Sequence, residues 1–76
     1  MTVDYKQIGK RIREIRRKKN MTQADLAERT DMADSYISRI ETGAKKASLG
    51  SLIKIAIVFD SSLDALVFGN ETEEAE

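Results

Sequence analysis

The apolar positions between residues 22 and 43 predict two short amphipathic helices joined by a tight turn. These positions are Leu26, Ala27, Met32, Ile37 and Ile40. The residues between them are polar, so each helix is expected to bury one stripe and to leave the other in water. Ala27 falls where two helices cross closely, and Asp31 falls at the turn, where a short polar side chain tolerates a left-handed backbone. This spacing is typical of a helix-turn-helix.

A longer helix is predicted before this segment. Its apolar positions recur at i, i+4 and i+7, and they are Ile8, Ile12 and Ile15. The helix is expected to run from about Tyr5 to Lys19, and Asn20 suits a left-handed end. Thr22, followed three residues later by Asp25, resembles a capping box and predicts the start of the second helix.

The third helix is predicted to begin near Ala33 or Asp34. It is expected to end at Gly43, because glycine readily adopts the positive φ that follows many helices. Alanine has no side-chain acceptor, so we expect Asp31 or Asp34 to cap the helix.

Two further helices complete the predicted all-α domain. Ser48 is expected to cap the fourth helix, and Ser62 opens the fifth. The predicted core-facing positions of the fourth helix are Leu49, Leu52, Ile53 and Ala56. Those of the fifth helix are Leu63, Leu66 and Val67. We expect residues 1–69 to fold as one domain and residues 70–76, NETEEAE, to form a disordered acidic tail.

The composition excludes several kinds of function. The chain has 76 residues and lacks both cysteine and histidine, so the usual zinc ligands, thiol nucleophiles and imidazole bases are missing. We therefore expect no enzyme activity, no metal site and no cofactor. With no second domain expected, we also expect no small-molecule ligand. No apolar run approaches the roughly 18 residues that span a bilayer, which favours a cytoplasmic protein without membrane contact.

The charges are segregated along the chain although the formal net charge is zero. Residues 1–20 carry eight lysines and arginines against two acidic residues, whereas the last seven residues carry four glutamates. Without that tail the chain has thirteen basic residues against nine acidic ones, a net charge of +4. A modest basic surface of this kind is compatible with a nucleic-acid partner.

The sequence resembles the DNA-binding domain of lambda-type phage repressors and of Xre-type transcriptional regulators. The resemblance runs from about Ile8 to Gly69, and it is carried by IGKRIREIRRKK, MTQADLAERT, SYISRIETG, SLGSLIKIA and SLDALVFG. It implies a compact five-helix lambda-repressor-like fold, in which the helix at about 33–42 enters the major groove of double-stranded DNA.

The exposed face of that third helix supplies the expected base contacts, which are Asp34, Ser35, Ser38 and Arg39. Arg39 is the best candidate, because its planar guanidinium can bond both O6 and N7 of guanine. At Asp34, members of the family often have a basic residue or glutamine. A carboxylate there either selects a base by accepting from cytosine N4, or only caps the helix.

Contacts to phosphate are expected from residues that flank the third helix. They are Gln23, Tyr36, Thr42, Lys45 and Lys46, with Arg11 and Lys10 as further candidates. The Gln23 assignment rests on the resemblance, since related repressors clamp a phosphate with a glutamine at this position. The resemblance also implies a structural salt bridge between Arg16 and Glu41.

The second half of the chain holds more apolar residues than one helix face can bury. We expect Ile57, Ala65 and Phe68 to form an apolar patch that a second copy covers. The alternative is that Phe68 folds under the first helix and leaves only Ile57 exposed. Related repressors and restriction-modification controller proteins form two-fold dimers through this region, so the resemblance implies a homodimer on a palindromic operator.

The sequence therefore favours a sequence-specific, homodimeric transcriptional regulator without catalysis. It does not choose between repression and activation, and in an activator the acidic residues Asp25, Glu28 and Asp31 are candidates for contact with RNA polymerase. The alternative is a protein-interaction module, such as an antitoxin or adaptor, that binds DNA weakly. Asp34, the neutral net charge and the acidic tail favour that alternative.

Overall fold

The computed structural model describes residues 3–69, which form five α-helices and, over this range, no strand. The predicted disordered tail at 70–76 lies outside the described residues. The helices are α1 (Tyr5–Lys18), α2 (Gln23–Thr30), α3 (Asp34–Thr42), α4 (Leu49–Phe59) and α5 (Leu63–Phe68). The predicted all-α fold with five helices is therefore confirmed, and α1 ends one residue before the predicted Lys19.

Polar side chains cap four of the five helix starts. Asp4 accepts hydrogen bonds from the backbone N–H groups of α1, and Ser48 and Ser62 do the same at α4 and α5. The capping box of Thr22 and Asp25 is confirmed, with both reciprocal bonds present at 2.9 and 3.0 Å. Each cap satisfies N–H groups that have no partner within the helix, so the helix boundaries follow from local sequence.

The start of α3 differs from the prediction. Ala33 occupies the capping position with an extended backbone, and no side chain hydrogen-bonds the first N–H groups. Asp31 instead ends α2, where its backbone adopts the left-handed conformation with φ of 59°. Asp34 is the first helical residue and does not fold back, so neither aspartate caps α3. The carboxylate of Asp34 instead lies at the positive end of the helix dipole.

The core is a single cluster of aliphatic side chains closed by one aromatic ring. Its fully buried members are Ile8, Ile12, Leu26, Ile37, Ile40, Ile55, Phe59 and Leu66. Helix α1 packs against α3 and α5, and α2 packs against α3 and α4. The core therefore holds the two central helices, α2 and α3, in a fixed relative orientation.

Gly9 permits a close crossing of α1 and α3 that the sequence did not reveal. A Cβ atom at this position would collide with the carbonyl oxygen of Ile40 and lie 2.8 Å from that of Glu41. Those atoms belong to backbone, which cannot move aside cheaply. The residue at position 9 thus sets how closely α1 supports the end of α3.

Helix α4 presents a different face to the core than predicted. Leu52 and Ala56 are buried as expected, but the remaining core positions are Ile55 and Phe59. The predicted core residues Leu49 and Ile53 are 64% and 42% exposed. Because apolar residues occupy nearly the whole circumference of this helix, its pattern fits more than one buried stripe, and only packing against α2 and α5 selects one.

Arg11 ties the first helix to the last. Its Nη1 donates to the carbonyl oxygens of Leu66 and Val67 at 3.0 and 2.8 Å, across more than fifty residues of sequence. These carbonyls lie at the negative end of α5, so the bonds are charge-assisted. This contact explains how a helix of six residues keeps its place, and it gives Arg11 a structural role.

Candidate nucleic-acid interface

Helix α3 buries one edge and exposes the other. Ile37 and Ile40 are 0% and 1% exposed, and they anchor the helix in the core. On the opposite edge Asp34, Ser35 and Arg39 are exposed, and Ser38 is half-buried. The four predicted base-contacting residues therefore share one accessible edge, as a helix that enters a groove requires.

Arg39 keeps its guanidinium free of carboxylates. The ion pair of Arg16 with Glu41 is the one salt bridge found within residues 3–69. Arg39 takes part in local hydrogen bonds through its backbone carbonyl, which accepts from Thr42 Oγ1 and from the Lys45 backbone N–H. Its exposed side chain can thus extend toward a partner without first breaking an ion pair.

Behind the exposed edge lies the buried salt bridge between Arg16 and Glu41, as predicted. Arg16 Nε donates to Glu41 Oε2 at 2.7 Å and Arg16 Nη2 donates to Oε1 at 3.1 Å, which makes the pair bidentate. The two side chains are 9% and 1% exposed. Arg16 also donates to the carbonyl of Met21 at 2.8 Å. This network joins the end of α1, the start of α2 and the end of α3.

Gln23, the predicted phosphate contact at the start of α2, takes part in the same network. Its Nε2 donates to Glu41 Oε1 at 3.0 Å, so the carboxylate is shared between Gln23 and Arg16. An amide nitrogen carries two hydrogens, and the second remains available for an acceptor outside the domain. The structure thus fixes the orientation of Gln23 through a residue of α3.

Tyr36 lies where α3 meets the start of α4. Its hydroxyl lies 2.8 Å from Ser51 Oγ and accepts from the Ser48 backbone N–H at 3.3 Å. Partial burial acts to raise the pKa of Tyr36, but the hydrogen bonds to Ser51 and Ser48 and the nearby charge of Lys45 outweigh it, so the pKa is lowered. These hydrogen bonds fix the Tyr36 hydroxyl at the N-terminus of α4, which is the positive end of the helix dipole. Ser51 was not identified from the sequence as a partner of Tyr36. Its only signal in the sequence is its position three residues after Ser48, the capping residue of α4.

The remaining predicted phosphate contacts lie at the end of α3 and in the turn after it. Thr42, Lys45 and Lys46 are all exposed. The ammonium of Lys46 lies 5.7 Å from the centroid of the Tyr5 ring, which ties this turn to α1 through a cation–π contact. The structure therefore brings three predicted phosphate contacts to the end of α3 and the turn that follows it.

The predicted apolar patch needs one correction. Ile57 and Phe68 are 73% and 42% exposed, but Ala65 is only 8% exposed and belongs to the interior. Ala65 faces inward because Leu66 and Ala65 are the two residues by which α5 packs on the domain. Phe68 does not fold under α1, so both Ile57 and Phe68 are available to a partner.

Comparison with known proteins identifies the family. A helix-turn-helix family model of the Xre type, HTH_3, matches residues 12–66, which is most of the chain. The chain belongs to this family. Within residues 3–69 no helix is both long and apolar enough to cross a membrane.

Curated relatives of this helix-turn-helix domain are transcriptional regulators and repressors. It is 37% identical over 70 residues to the HTH-type transcriptional regulator SinR of Bacillus licheniformis, covering 91% of this chain and 61% of the relative. It is 36% identical over 65 residues to the immunity repressor protein of Bacillus phage phi105, covering 86% and 44%. The chain thus spans about three-fifths of the first relative and less than half of the second.

Solved structures give the same result. The restriction-modification controller protein C.AhdI from Aeromonas hydrophila superposes with a TM-score of 0.80 at 32% identity, covering 83% of this chain and 96% of that one. The master regulator for biofilm formation SinR, solved in complex with DNA, has a TM-score of 0.74 at 37% identity and coverages of 78% and 95%. The predicted lambda-repressor-like fold is therefore confirmed.

Proposed function

We propose that this helix-turn-helix domain is a sequence-specific regulator of transcription that binds double-stranded DNA as a homodimer on a palindromic operator. The observation that carries the proposal is the polar edge of α3, which is exposed while the opposite edge is locked into the core. The structure of the relative SinR in complex with DNA supports the class of partner. Helix α3 enters the major groove, where base pairs present distinct patterns of donors and acceptors.

Arg39 reads the base sequence in this proposal. Its guanidinium bonds O6 and N7 of one guanine, an interaction worth about 1 to 3 kcal/mol against the wrong base. Ser35 and Ser38 donate or accept at neighbouring positions. Asp34 accepts a hydrogen bond from cytosine N4 in this proposal. Its carboxylate is available because it does not cap α3, and without such a bond the phosphates of DNA would repel it.

Groups around α3 hold the DNA backbone and fix the register of that helix. They are Gln23, Tyr36, Thr42, Lys45 and Lys46. Gln23 and Tyr36 are already oriented by hydrogen bonds within the protein, so little side-chain freedom is lost when DNA binds. The lysines add charge rather than fixed geometry.

Two copies related by a two-fold axis present two recognition helices about 34 Å apart, which is one turn of duplex DNA. Ile57 and Phe68 are the exposed apolar residues available for that contact. Repression then needs only occupancy of the operator. Activation would need contact with RNA polymerase. Glu28 is the better candidate of the two acidic residues of α2, because it is exposed whereas the carboxylate of Asp25 accepts a hydrogen bond in the capping box.

The test is selection of bound DNA from a random pool, followed by binding of the selected site by Arg39→Ala. We expect a loss of about 1 to 3 kcal/mol and relaxed preference at one position in each half-site. Arg13→Ala is the matched control, because Arg13 is exposed on α1 and this substitution removes the same charge. Equal losses for the two variants would mean that Arg39 contributes charge but no base contact.

Dependence on salt separates this function from a protein-interaction module. A DNA-binding protein loses affinity with a slope of about −0.9 in log affinity against log salt for each phosphate neutralised. We expect a steep negative slope on the selected operator. A flat slope with weak affinity would favour the antitoxin or adaptor role.

A further inference from the structure

A shallow groove of about 260 Å³ runs between the end of α2 and the middle of α4. It is lined by Arg29, Thr30, Asp31, Lys54, Ile57 and Val58. Ile57 is the most exposed large apolar residue of the described range, at 73%. The groove thus combines the apolar side chains of Ile57 and Val58 with two cations, Arg29 and Lys54, against one anion, Asp31, so its net charge is positive.

The outer edge of α5 has the complementary character. Asp64 and Phe68 are both exposed, and they are four residues apart, so they lie one turn apart on the same face of the helix. Lys54 and Ile57 are three residues apart on α4 and likewise share a face. Neither Asp64 nor Lys54 has an ion-pair partner within residues 3–69, where the pair of Arg16 and Glu41 is the one found.

We propose that the groove receives the α5 edge of a second copy of this chain, with Asp64 paired to Lys54 and Phe68 packed on Ile57 across the subunit boundary. The inference rests on the proposed homodimer and specifies how it is built. Each copy carries one edge and one groove, so a two-fold axis forms the contact twice, as a symmetric dimer requires. Charge complementarity then determines which partner is accepted.

Packing of α5 directly on α5 is the competing arrangement. It would leave Asp64 without a cation, because α5 (Leu63–Phe68) carries no basic residue. It would also leave Ile57 and the cations of the groove without a partner. Insertion of α5 into the groove removes Phe68 and Ile57 from water together and gives Asp64 a cation.

The experiment reverses each charge separately and then mixes the variants. We expect Lys54→Glu and Asp64→Lys each to weaken self-association by about tenfold or more, because two attractive pairs become repulsive. In an equimolar mixture, however, the reversed charges of one variant meet those of the other, and the native charges meet as well. Native mass spectrometry of the mixture, with one variant isotopically labelled, should therefore show heterodimer in excess over both homodimers. The double variant carrying both changes should also recover self-association.

Arg13→Glu and Glu14→Lys are the matched controls, because both residues are exposed on α1. They should leave self-association unchanged and give a statistical mixture of dimers. Far-UV circular dichroism checks that Asp64→Lys folds, since Asp64 also lies in the first turn of α5. If it does not fold, Asp64→Asn replaces it and should weaken association and its salt dependence. A wild-type dimer whose association ignores these charges would overturn the groove contact alone, whereas a monomeric wild-type protein would overturn the proposed homodimer with it.

Discussion

Arg16 and Glu41 form the most constrained polar contact of the domain, because both side chains are buried and each oxygen of the carboxylate accepts a bond from Arg16. Replacement of Arg16 by alanine would strand the Glu41 charge, which costs about 3 to 5 kcal/mol in buried pairs. We expect Arg16→Ala to lower the urea midpoint severely before any effect on DNA recognition can be read. Equal melting temperatures for variant and wild type would refute this interpretation.

The paired variant Arg16→Met with Glu41→Leu provides the control for that prediction. It leaves no charge in the interior, so it should be more stable than Arg16→Ala. It also removes the acceptor of Gln23, which then loses its fixed orientation. Weaker DNA binding by a folded double variant would identify Glu41 as the residue that positions Gln23.

The carboxylate of Asp25 makes the stability of the folded domain depend on pH. Hydrogen bonds from the Thr22 backbone and side chain lower the pKa of Asp25 below its ordinary value of 3.8, against a smaller raising effect of burial, and Arg29 lowers it further. The pKa is thus lower in the folded state than in the unfolded state. The contribution of Asp25 is therefore present above about pH 4 and is lost as the pH falls through the folded-state pKa.

We expect Asp25→Asn to be less stable than the wild type at neutral pH and the difference to shrink on acidification below about pH 4. Urea unfolding of both proteins at several pH values measures the difference, and an NMR titration of the carboxyl carbon gives the pKa directly. A stability difference that stays constant down to pH 2 would contradict the role of the carboxylate in the cap.

At the scale of elements, two glycines test how closely the helices approach one another. A methyl group at Gly9 would collide with the backbone of α3, whereas a methyl group at Gly50 would meet nothing within 4 Å. We expect Gly9→Ala to destabilise the domain by about 1 to 3 kcal/mol or more through overpacking. Gly50→Ala should stabilise it by about 0.5 to 1 kcal/mol, since α4 gains helix propensity. Chemical unfolding of this matched pair measures both, and two changes of the same sign would contradict the crossing geometry.

The helix starts were predictable from the sequence, but the capping residue was wrong for α3, which begins at Asp34 within the predicted bounds and has no side-chain cap. Thr22, Ser48 and Ser62 act within three residues of themselves, so the sequence shows them directly. The start of α3 has no such signal, because Ala33 cannot accept a hydrogen bond. The tie from Arg11 to the end of α5 spans more than fifty residues and leaves no local pattern.

For the whole molecule, self-association through the exposed apolar residues is the decisive prediction. Ile57→Glu combined with Phe68→Glu should yield a monomer, because like charges then face each other across the subunit boundary. The monomer should bind the operator weakly, because a single recognition helix loses the second half-site. Leu49→Glu is the control, since Leu49 is 64% exposed on the same helix but does not line the groove. Sedimentation measures the oligomeric state, and a wild-type protein that is monomeric at tens of micromolar would remove the homodimer from the proposal.

The sequence by itself determined five helices and the turn at Asp31, and its resemblance to a family implied the pair of Arg16 with Glu41. Periodicity, caps and the resemblance to a family are encoded within short stretches, and such local signals survive without knowledge of the fold. Only the tertiary structure decided which face of α4 is buried, that Ala65 is interior and that Arg11 holds α5. These outcomes depend on which helices meet, because a helix that is apolar on most of its circumference acquires an inside and an outside only when its neighbours are in place.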